Sequence, residues 1–227
     1  MSKASADYPA NVLRNLSSPE ASVRLKASKH LESELRQTTT KQRKIHFGNK
    51  KTTSALLPLL DDPDPRIVHN AVVAIARIAS YYFKDNRAYR KMLQLVHSKH
   101  PLTQPWAINA LIGLRGESSL DDVLPFCRDR SAQAREMTLF HLYRWLMEMR
   151  TDRSGSIRPK SQERLRAEAV RCLNDSRPGV RGMAAALLAE VGESTALAPL
   201  RARLKKERDR YTRESINEAI EWLEGRL

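Results

Sequence analysis

The chain has 227 residues, with 40 Lys or Arg and 26 Asp or Glu, which gives a net charge of +14 and a pI of about 10.1. It contains no run of about 18 apolar residues and opens with no basic stretch followed by an apolar one, so we expect neither a transmembrane helix nor a secretory signal. The 8 Gly and 6% aromatic residues are typical of an all-helical protein, which we expect in the cytoplasm.

The start of the chain differs from the rest in composition. Residues 1–6 are small and polar, and we predict that they are disordered. We interpret 7–227 as a single domain whose first helix opens near Asp7. The second helix opens at Ser18 and Pro19, because Ser can accept hydrogen bonds from free N–H groups and Pro tolerates the first helical position.

The stretch from 57 to 78 is the clearest unit of the fold. Asp64 can cap a helix, and Pro65 can occupy its first position. The apolar residues that follow are spaced by four, four and three, which is the stripe of an amphipathic helix. They are Ile67, Ala71, Ile75 and Ile78. Pro58 predicts a kink in the preceding helix, so the stretch predicts a helical hairpin with a tight Asp/Pro turn.

The same pattern recurs along the chain. With Ile67 as position zero, the positions zero, plus four and plus eight hold apolar or small residues in six copies. The triplets are Val23, Ala27 and Leu31; Ile67, Ala71 and Ile75; Thr103, Ala107 and Leu111; Ala134, Thr138 and Leu142; Val180, Ala184 and Leu188; and Thr212, Ile216 and Ile220. Helix pairs repeated at such spacings predict an all-α solenoid, here of about six hairpins.

Four of the copies also carry an Arg at plus one: Arg24, Arg135, Arg181 and Arg213. Together with the Asp/Pro turn and the Ala and Leu positions, this pattern resembles the HEAT repeat over roughly residues 8–225. It is most similar to the short prokaryotic variant that also occurs in phycobilin lyases (the PBS-lyase type). The resemblance implies that the Arg pairs with turn carboxylates, for which Asp129 and Asp175 are available. Direct contact with a ligand is the alternative.

Two connections are unusually long for a solenoid, and both are basic. Residues 38–51 include Lys41, Arg43, Lys44, Lys50 and Lys51, and residues 150–160 include Arg153, Arg158 and Lys160. Both join one hairpin to the next, so we expect them on one edge, roughly 30 Å apart. We predict that this edge binds nucleic acid or an acidic protein, with His46 and Phe47 stacking on a base or ring. A solubilising loop is the alternative.

A second candidate surface follows from the resemblance, which implies that the second helices of the hairpins line a concave face. Side chains there that do not fit the core stripe are Lys26, Asn70, Arg77, Gln104, Trp106, Asn109, Arg144 and Arg181. Basic groups with an aromatic among them can hold a phosphate backbone. A solvated face that binds nothing is the alternative.

We find no sequence signature of catalysis. No phosphate-binding loop, nucleophile elbow or HExxH helix is present, and we expect no cofactor and no metal. His97 and His100 lack a third ligand nearby, and Cys127 and Cys172 fit core positions of a reduced protein. We therefore predict a non-catalytic binding or scaffold protein.

Two enzyme families with this kind of repeat are the alternatives. HEAT-like DNA glycosylases hold damaged nucleotides with concave Trp and Asp residues, and Trp106 and Trp145 fall on second helices here. Glu136 and Glu148, rather than an Asp, are the carboxylates that those helices offer. For a phycobilin lyase, nothing beyond the repeat itself matches.

Overall fold

The computed structural model describes the backbone of residues 3–37, 46–98, 100, 102–151 and 156–225. Every regular element in these ranges is helical, as the sequence predicts. The chain divides into two compact units, Met1–Gly116 and Glu117–Leu227. Each unit holds three helical hairpins, which matches the predicted six repeats of an α-solenoid.

In the described ranges, the α-helices form these hairpins in chain order. In the first unit they are α1 (Lys3–Leu16) with α2 (Ala21–Gln37), α3 (Lys50–Leu56) with α4 (Pro65–Tyr81), and α5 (Tyr89–Leu95) with α6 (Thr103–Arg115). In the second unit they are α7 (Leu120–Val123) with α8 (Ala132–Thr151), α9 (Pro159–Cys172) with α10 (Pro178–Val191), and α11 (Leu197–Leu204) with α12 (Arg210–Gly225).

The core lies along the predicted stripe of the second helices. At positions zero, plus four and plus eight, every residue except the half-buried Val23 is buried. In the first unit α4 packs between α2 and α6, and in the second unit α10 packs between α8 and α12. Each hairpin therefore covers the apolar face of its neighbour, which is how a repeat too small for its own core becomes stable.

Several boundaries differ from the sequence prediction. Helix α1 begins at Lys3, so residues 3–6 are helical rather than disordered. Lys50 and Lys51 form the first turn of α3, capped by Asn49, whose side chain accepts a hydrogen bond from the N–H of Thr52 at 3.1 Å. Helix α9 likewise begins before Lys160. Both inserted connections are therefore shorter than predicted, because the adjoining helices extend into them.

In two of the hairpins, a proline before the turn ends the first α-helix. Pro58 lies in a 3₁₀ turn, Leu57–Asp61, that continues α3, and Pro125 lies in the equivalent turn, Leu124–Arg128, that follows α7. A proline lacks the N–H that an α-helix needs, so the chain tightens instead of continuing. The predicted kink thus takes the form of a 3₁₀ turn.

The plus-one Arg residues connect successive hairpins. Arg24 Nε donates to Asp62 of the next turn at 2.6 Å, and Arg135 donates to Asp175 at 2.7 and 2.8 Å. Each guanidinium also donates to carbonyl oxygens of its own turn. Each Arg therefore donates hydrogen bonds to acceptors in two successive turns, which is the structural role implied by the resemblance.

Arg181 follows the same rule, so its assignment to the concave binding set is wrong. Its guanidinium is 7% exposed and donates to both carboxylate oxygens of the buried Glu207, at 2.6 and 2.7 Å. These hydrogen bonds lower the pKa of Glu207 to about 2. Arg213 donates to the carbonyl oxygens of Leu204 and Glu207.

We call the contact between a plus-one Arg and a carboxylate of the next hairpin a rung. Between the second and third hairpins, a different contact takes its place. Val68 occupies plus one there, and the contact is made by His69, His100 and Thr103 instead. The two imidazole centroids lie 5.2 Å apart, and the Thr103 hydroxyl lies 3.4 and 3.1 Å from their Nδ1 atoms. Burial and the neighbouring imidazole lower the pKa of His69.

Candidate functional site

The connections between the hairpins of the first unit carry its most prominent cluster of charge. The N-terminus of α3 lies beside the segment 82–88 that joins α4 to α5, because Arg87 Nη2 donates to the Ser54 hydroxyl at 2.7 Å. Five exposed cations lie in or next to these two segments of the chain: Lys50, Lys51, Lys84, Arg87 and Arg90. We call these five residues the basic edge.

One carboxylate fixes the shape of the basic edge. Asp85 is 7% exposed and accepts from the backbone N–H of Arg87 at 3.1 Å. It also accepts from the guanidinium of Arg87, at 2.9 Å from Nε and 2.6 Å from Nη2. The guanidinium bonds, together with the backbone bond and the charge of Lys50, hold the pKa of Asp85 below its usual range.

The other four cations of the basic edge can use their positive charge to attract a ligand. In the ranges that the structure describes, Lys50, Lys51, Lys84 and Arg90 form no ion pair. Four uncompensated charges on one edge produce a positive field, which attracts anions in a salt-dependent manner.

Aromatic side chains adjoin this charge. Tyr81, the last residue of α4, is 47% exposed, and its ring centroid lies 6.0 Å from that of the half-buried Tyr82. The sequence analysis did not select these residues. A signal was available, because Tyr-Tyr-Phe-Lys ends a helix immediately before a connection on the edge where binding is predicted.

The predicted loop residues have different locations. Phe47 is 2% exposed and packs edge-on against Tyr8, with 6.4 Å between ring centroids, so the expectation that it stacks on a ligand is wrong. His46 is half-buried beside it. Arg158 pairs with Glu117 at 2.7 Å, whereas Lys160 is exposed. Four more predicted residues lie outside the described residues: Lys41, Arg43, Lys44 and Arg153.

Three of the predicted concave residues of the first unit make contacts between helices of different hairpins. Arg77 lies over the ring of Trp106, 5.0 Å from its centroid, and 3.7 Å from the carboxylate of Glu32. The Asn70 amide donates to the Ser28 hydroxyl on α2 at 3.1 Å. These contacts connect α2, α4 and α6, so they contribute to packing between the hairpins.

The remaining members of that set are dispersed. Gln104 is half-buried, and Asn109 is 3% exposed within α6. Lys26 is exposed at the mouth of a cavity of about 710 Å³ between α1 and α2. In the second unit, Arg144 pairs with Glu148 one turn along α8, at 3.3 Å. In the first unit, the basic edge is therefore a denser group of exposed cations than the concave set.

Comparison with known proteins agrees with this architecture. Residues 155–221 match the family model described as HEAT repeats. This part of the chain is therefore similar to HEAT repeats. Comparison with the curated proteins finds no match.

Solved structures of similar fold cover nearly the whole chain. An archaeal HEAT-like repeats protein from Thermococcus onnurineus NA1 is 10% identical, with a TM-score of 0.68 over 97% of this chain and 88% of that chain. A designed armadillo repeat protein in complex with the peptide (KR)4 is 19% identical, with a TM-score of 0.66 over 95% and 98%. At these identities the likeness shows the fold alone.

Trp106 is part of a cluster of charged side chains. Arg77 lies over the ring face, and the carboxylate of Glu32 lies 3.7 Å from Arg77 and 3.9 Å from Arg36.

Two further findings concern other site classes. Among the residues that the structure describes, no group of three His, Cys, Asp or Glu side chains is placed to hold a metal ion. Over the same ranges, no helix is long and apolar enough to span a membrane.

The second helices of the second unit form a trough of about 410 Å³. Met183, Ala186, Tyr143 and Trp222 are among the residues that line it. Arg150 stacks on Trp222, 5.1 Å from the ring centroid, and lies 3.3 Å from Glu190. A trough with both apolar and charged lining residues can hold a peptide side chain.

Proposed function

We propose that this protein is a non-catalytic binding scaffold whose basic edge engages a polyanion, either nucleic acid or an acidic protein. The observation that carries the proposal is the set of four exposed cations, Lys50, Lys51, Lys84 and Arg90, without ion pairs in the described ranges. They belong to a unit in which residues 1–116 hold 19 basic and 8 acidic residues, a net charge of +11.

The physical basis is electrostatic. A polyanion that contacts these cations releases its condensed counterions, so its affinity falls steeply with salt. The segment 38–45 adds three basic residues in the sequence next to α3: Lys41, Arg43 and Lys44. Lys160 and the exposed Arg158 of the second unit are proposed as a separate anchor.

The test compares two variants with the same loss of charge. In one, Lys50, Lys51, Lys84 and Arg90 are changed to Ser. In the matched control, four exposed cations of the second unit are changed to Ser: Arg130, Lys205, Lys206 and Arg208. Binding to a mixed-sequence oligonucleotide and to polyglutamate is measured over a range of salt concentrations.

We expect the basic-edge variant to lose about three units of the slope of log affinity against log salt for nucleic acid, and the control to lose less than one unit. Equal losses would show that net charge, rather than this edge, drives binding. Binding of neither polyanion by the wild type would refute the proposal.

The non-catalytic part of the proposal has its own test. The protein is incubated with alkylated DNA, and released bases are measured. We expect no release above that of DNA alone. Release that is lost in Trp106→Ala or Glu136→Gln would instead establish the glycosylase alternative.

A peptide partner is the second candidate, favoured by the trough between α8, α10 and α12. The designed armadillo protein of similar fold is in complex with a peptide, and this trough offers the aromatic side chains Tyr143 and Trp222. Changing Trp222 to Ala should then weaken capture of a peptide partner without altering the salt dependence at the basic edge.

A further inference from the structure

We infer that the polyanion bound at the basic edge is single-stranded nucleic acid, with Tyr81 as the ring on which a base stacks. This inference rests on the proposed function and adds the class of ligand. It is carried by the placement of an exposed aromatic ring next to uncompensated cations.

Exposure sets Tyr81 apart from the other aromatic residues near the basic edge. Its side chain is 47% exposed, whereas Tyr82 and Phe83 are half-buried and Tyr89 is 2% exposed. Tyr89 is also covered by the guanidinium of Arg115, which lies 3.8 Å from the ring centroid. Tyr81 is therefore the ring of this region that offers most surface to a ligand.

Tyr81 and the cations lie within reach of one nucleotide chain. Lys84 is three positions after Tyr81 in the chain, so their Cα atoms are at most about 11 Å apart. Lys84 adjoins Asp85, whose pKa is affected by Lys50 of α3. A strand whose phosphates contact Lys84 and Lys50 therefore passes within a few nucleotides of the Tyr81 ring.

The backbone under Tyr81 is held in place before any ligand arrives. Both Tyr82 and Phe83 donate their N–H groups to the carbonyl of Ile78, at 2.8 and 3.0 Å. The turn that follows is fixed by the bonds between Asp85 and Arg87. Little backbone ordering is then required on binding, which favours affinity.

The combination discriminates among polyanions. Cations alone attract a duplex, a single strand and an acidic protein alike. A stacking ring adds binding free energy only for a ligand with an accessible planar face, and single-stranded bases have one. Bases inside a duplex are already stacked on each other, and carboxylate side chains present no ring.

The test uses the full chain with a labelled oligothymidine, a duplex of the same length and polyglutamate, each measured by fluorescence anisotropy. The variants are Tyr81→Ala, Tyr81→Leu and Tyr81→Trp. The matched control is Tyr211→Ala, which removes a 76% exposed Tyr from the second unit. Thermal unfolding followed by circular dichroism confirms that each variant is folded.

We expect Tyr81→Ala and Tyr81→Leu to weaken single-strand binding by about 5- to 100-fold, and Tyr81→Trp and Tyr211→Ala to preserve it. The salt slope should stay unchanged in all four, because no phosphate contact is removed. Tyr81→Leu keeps an apolar side chain, so its failure to bind would reflect the lost ring rather than misfolding.

Three results would overturn the inference: wild-type affinity in both Tyr81→Ala and Tyr81→Leu, equal binding of duplex and single strand, or preference for polyglutamate. The proposed function would still stand in each case if changing Lys50, Lys51, Lys84 and Arg90 to Ser reduced the slope of log affinity against log salt. Absence of binding to all three probes would instead refute the proposed function, and this inference with it.

Discussion

The two units have the same fold but use their charge differently. Residues 1–116 carry a net charge of +11, and residues 117–227, with 21 basic and 18 acidic residues, carry +3. In the second unit, ion pairs such as Arg128–Glu168, Arg164–Asp121 and Arg166–Glu193 connect the first helix of one hairpin, or a turn beside it, with that of the next. Three hairpins therefore stack with nearly balanced charge, so the excess in the first unit is not required by the fold.

The units also differ in how their hairpins are joined. The second unit has Arg rungs at both junctions, Arg135–Asp175 and Arg181–Glu207. The first unit has one, Arg24–Asp62, and a contact of His69, His100 and Thr103 at the other junction. The rung is thus a structural device shared by both units, whereas most of the net positive charge belongs to the first. This distinction between structural and available charge can be tested by substitution.

The largest effect is expected from breaking a buried rung. Arg181→Ala leaves Glu207 buried with only Arg203 as a charged partner, and we expect it to lower the free energy of unfolding by about 3 kcal/mol. Urea denaturation measures the loss. The control, Arg158→Ala, removes an exposed ion pair and should cost less than about 1 kcal/mol. Equal losses in the two variants would contradict a special role for the rung.

An intermediate effect is expected from acid. Burial and, next, the charge of Arg144 lower the pKa of His141, in α8, from 6.5 to about 3. The unfolded chain therefore binds the proton more readily, so the stabilisation is complete above pH 6.5 and is lost as the pH falls toward 3.

When the pH is lowered from 7 to 5, His141 should reduce the free energy of unfolding by roughly 2 kcal/mol. Urea denaturation at the two pH values measures it. His141→Gln should reduce the difference, while His97→Gln, which changes an exposed side chain, should not. An unchanged pH dependence in His141→Gln would show that other groups control acid sensitivity.

The smallest effect on stability is expected at the basic edge. Changing Lys50, Lys51, Lys84 and Arg90 to Ser removes exposed charges of one sign, so the free energy of unfolding should change by less than about 0.5 kcal/mol per residue. A stability loss as large as that of Arg181→Ala would mean that these cations hold the fold together, and the comparison between the units would fail.

The sequence predicts the hairpins and their register well, because burial at a fixed helical spacing is a local property. Ile67, Ala71 and Ile75 are buried as expected. The site is harder to predict, because exposure depends on contacts that are distant in sequence. Phe47 is an aromatic in a basic segment and looked available, yet it packs against Tyr8. Arg158 is neutralised by Glu117, 41 residues away, and neither pairing has a local signal.

The rungs also bear on how such a chain can be shortened or rearranged. Each rung takes its Arg from one hairpin and its carboxylate from the next, so a hairpin is not a self-contained module. If the second hairpin were excised, Arg24 would lose Asp62 and meet the turn that contains His100, which offers no carboxylate at that place. Hairpins within a unit can therefore be exchanged without loss only where each Arg meets a carboxylate in the hairpin that follows. This restriction holds even where the apolar faces of the hairpins are interchangeable.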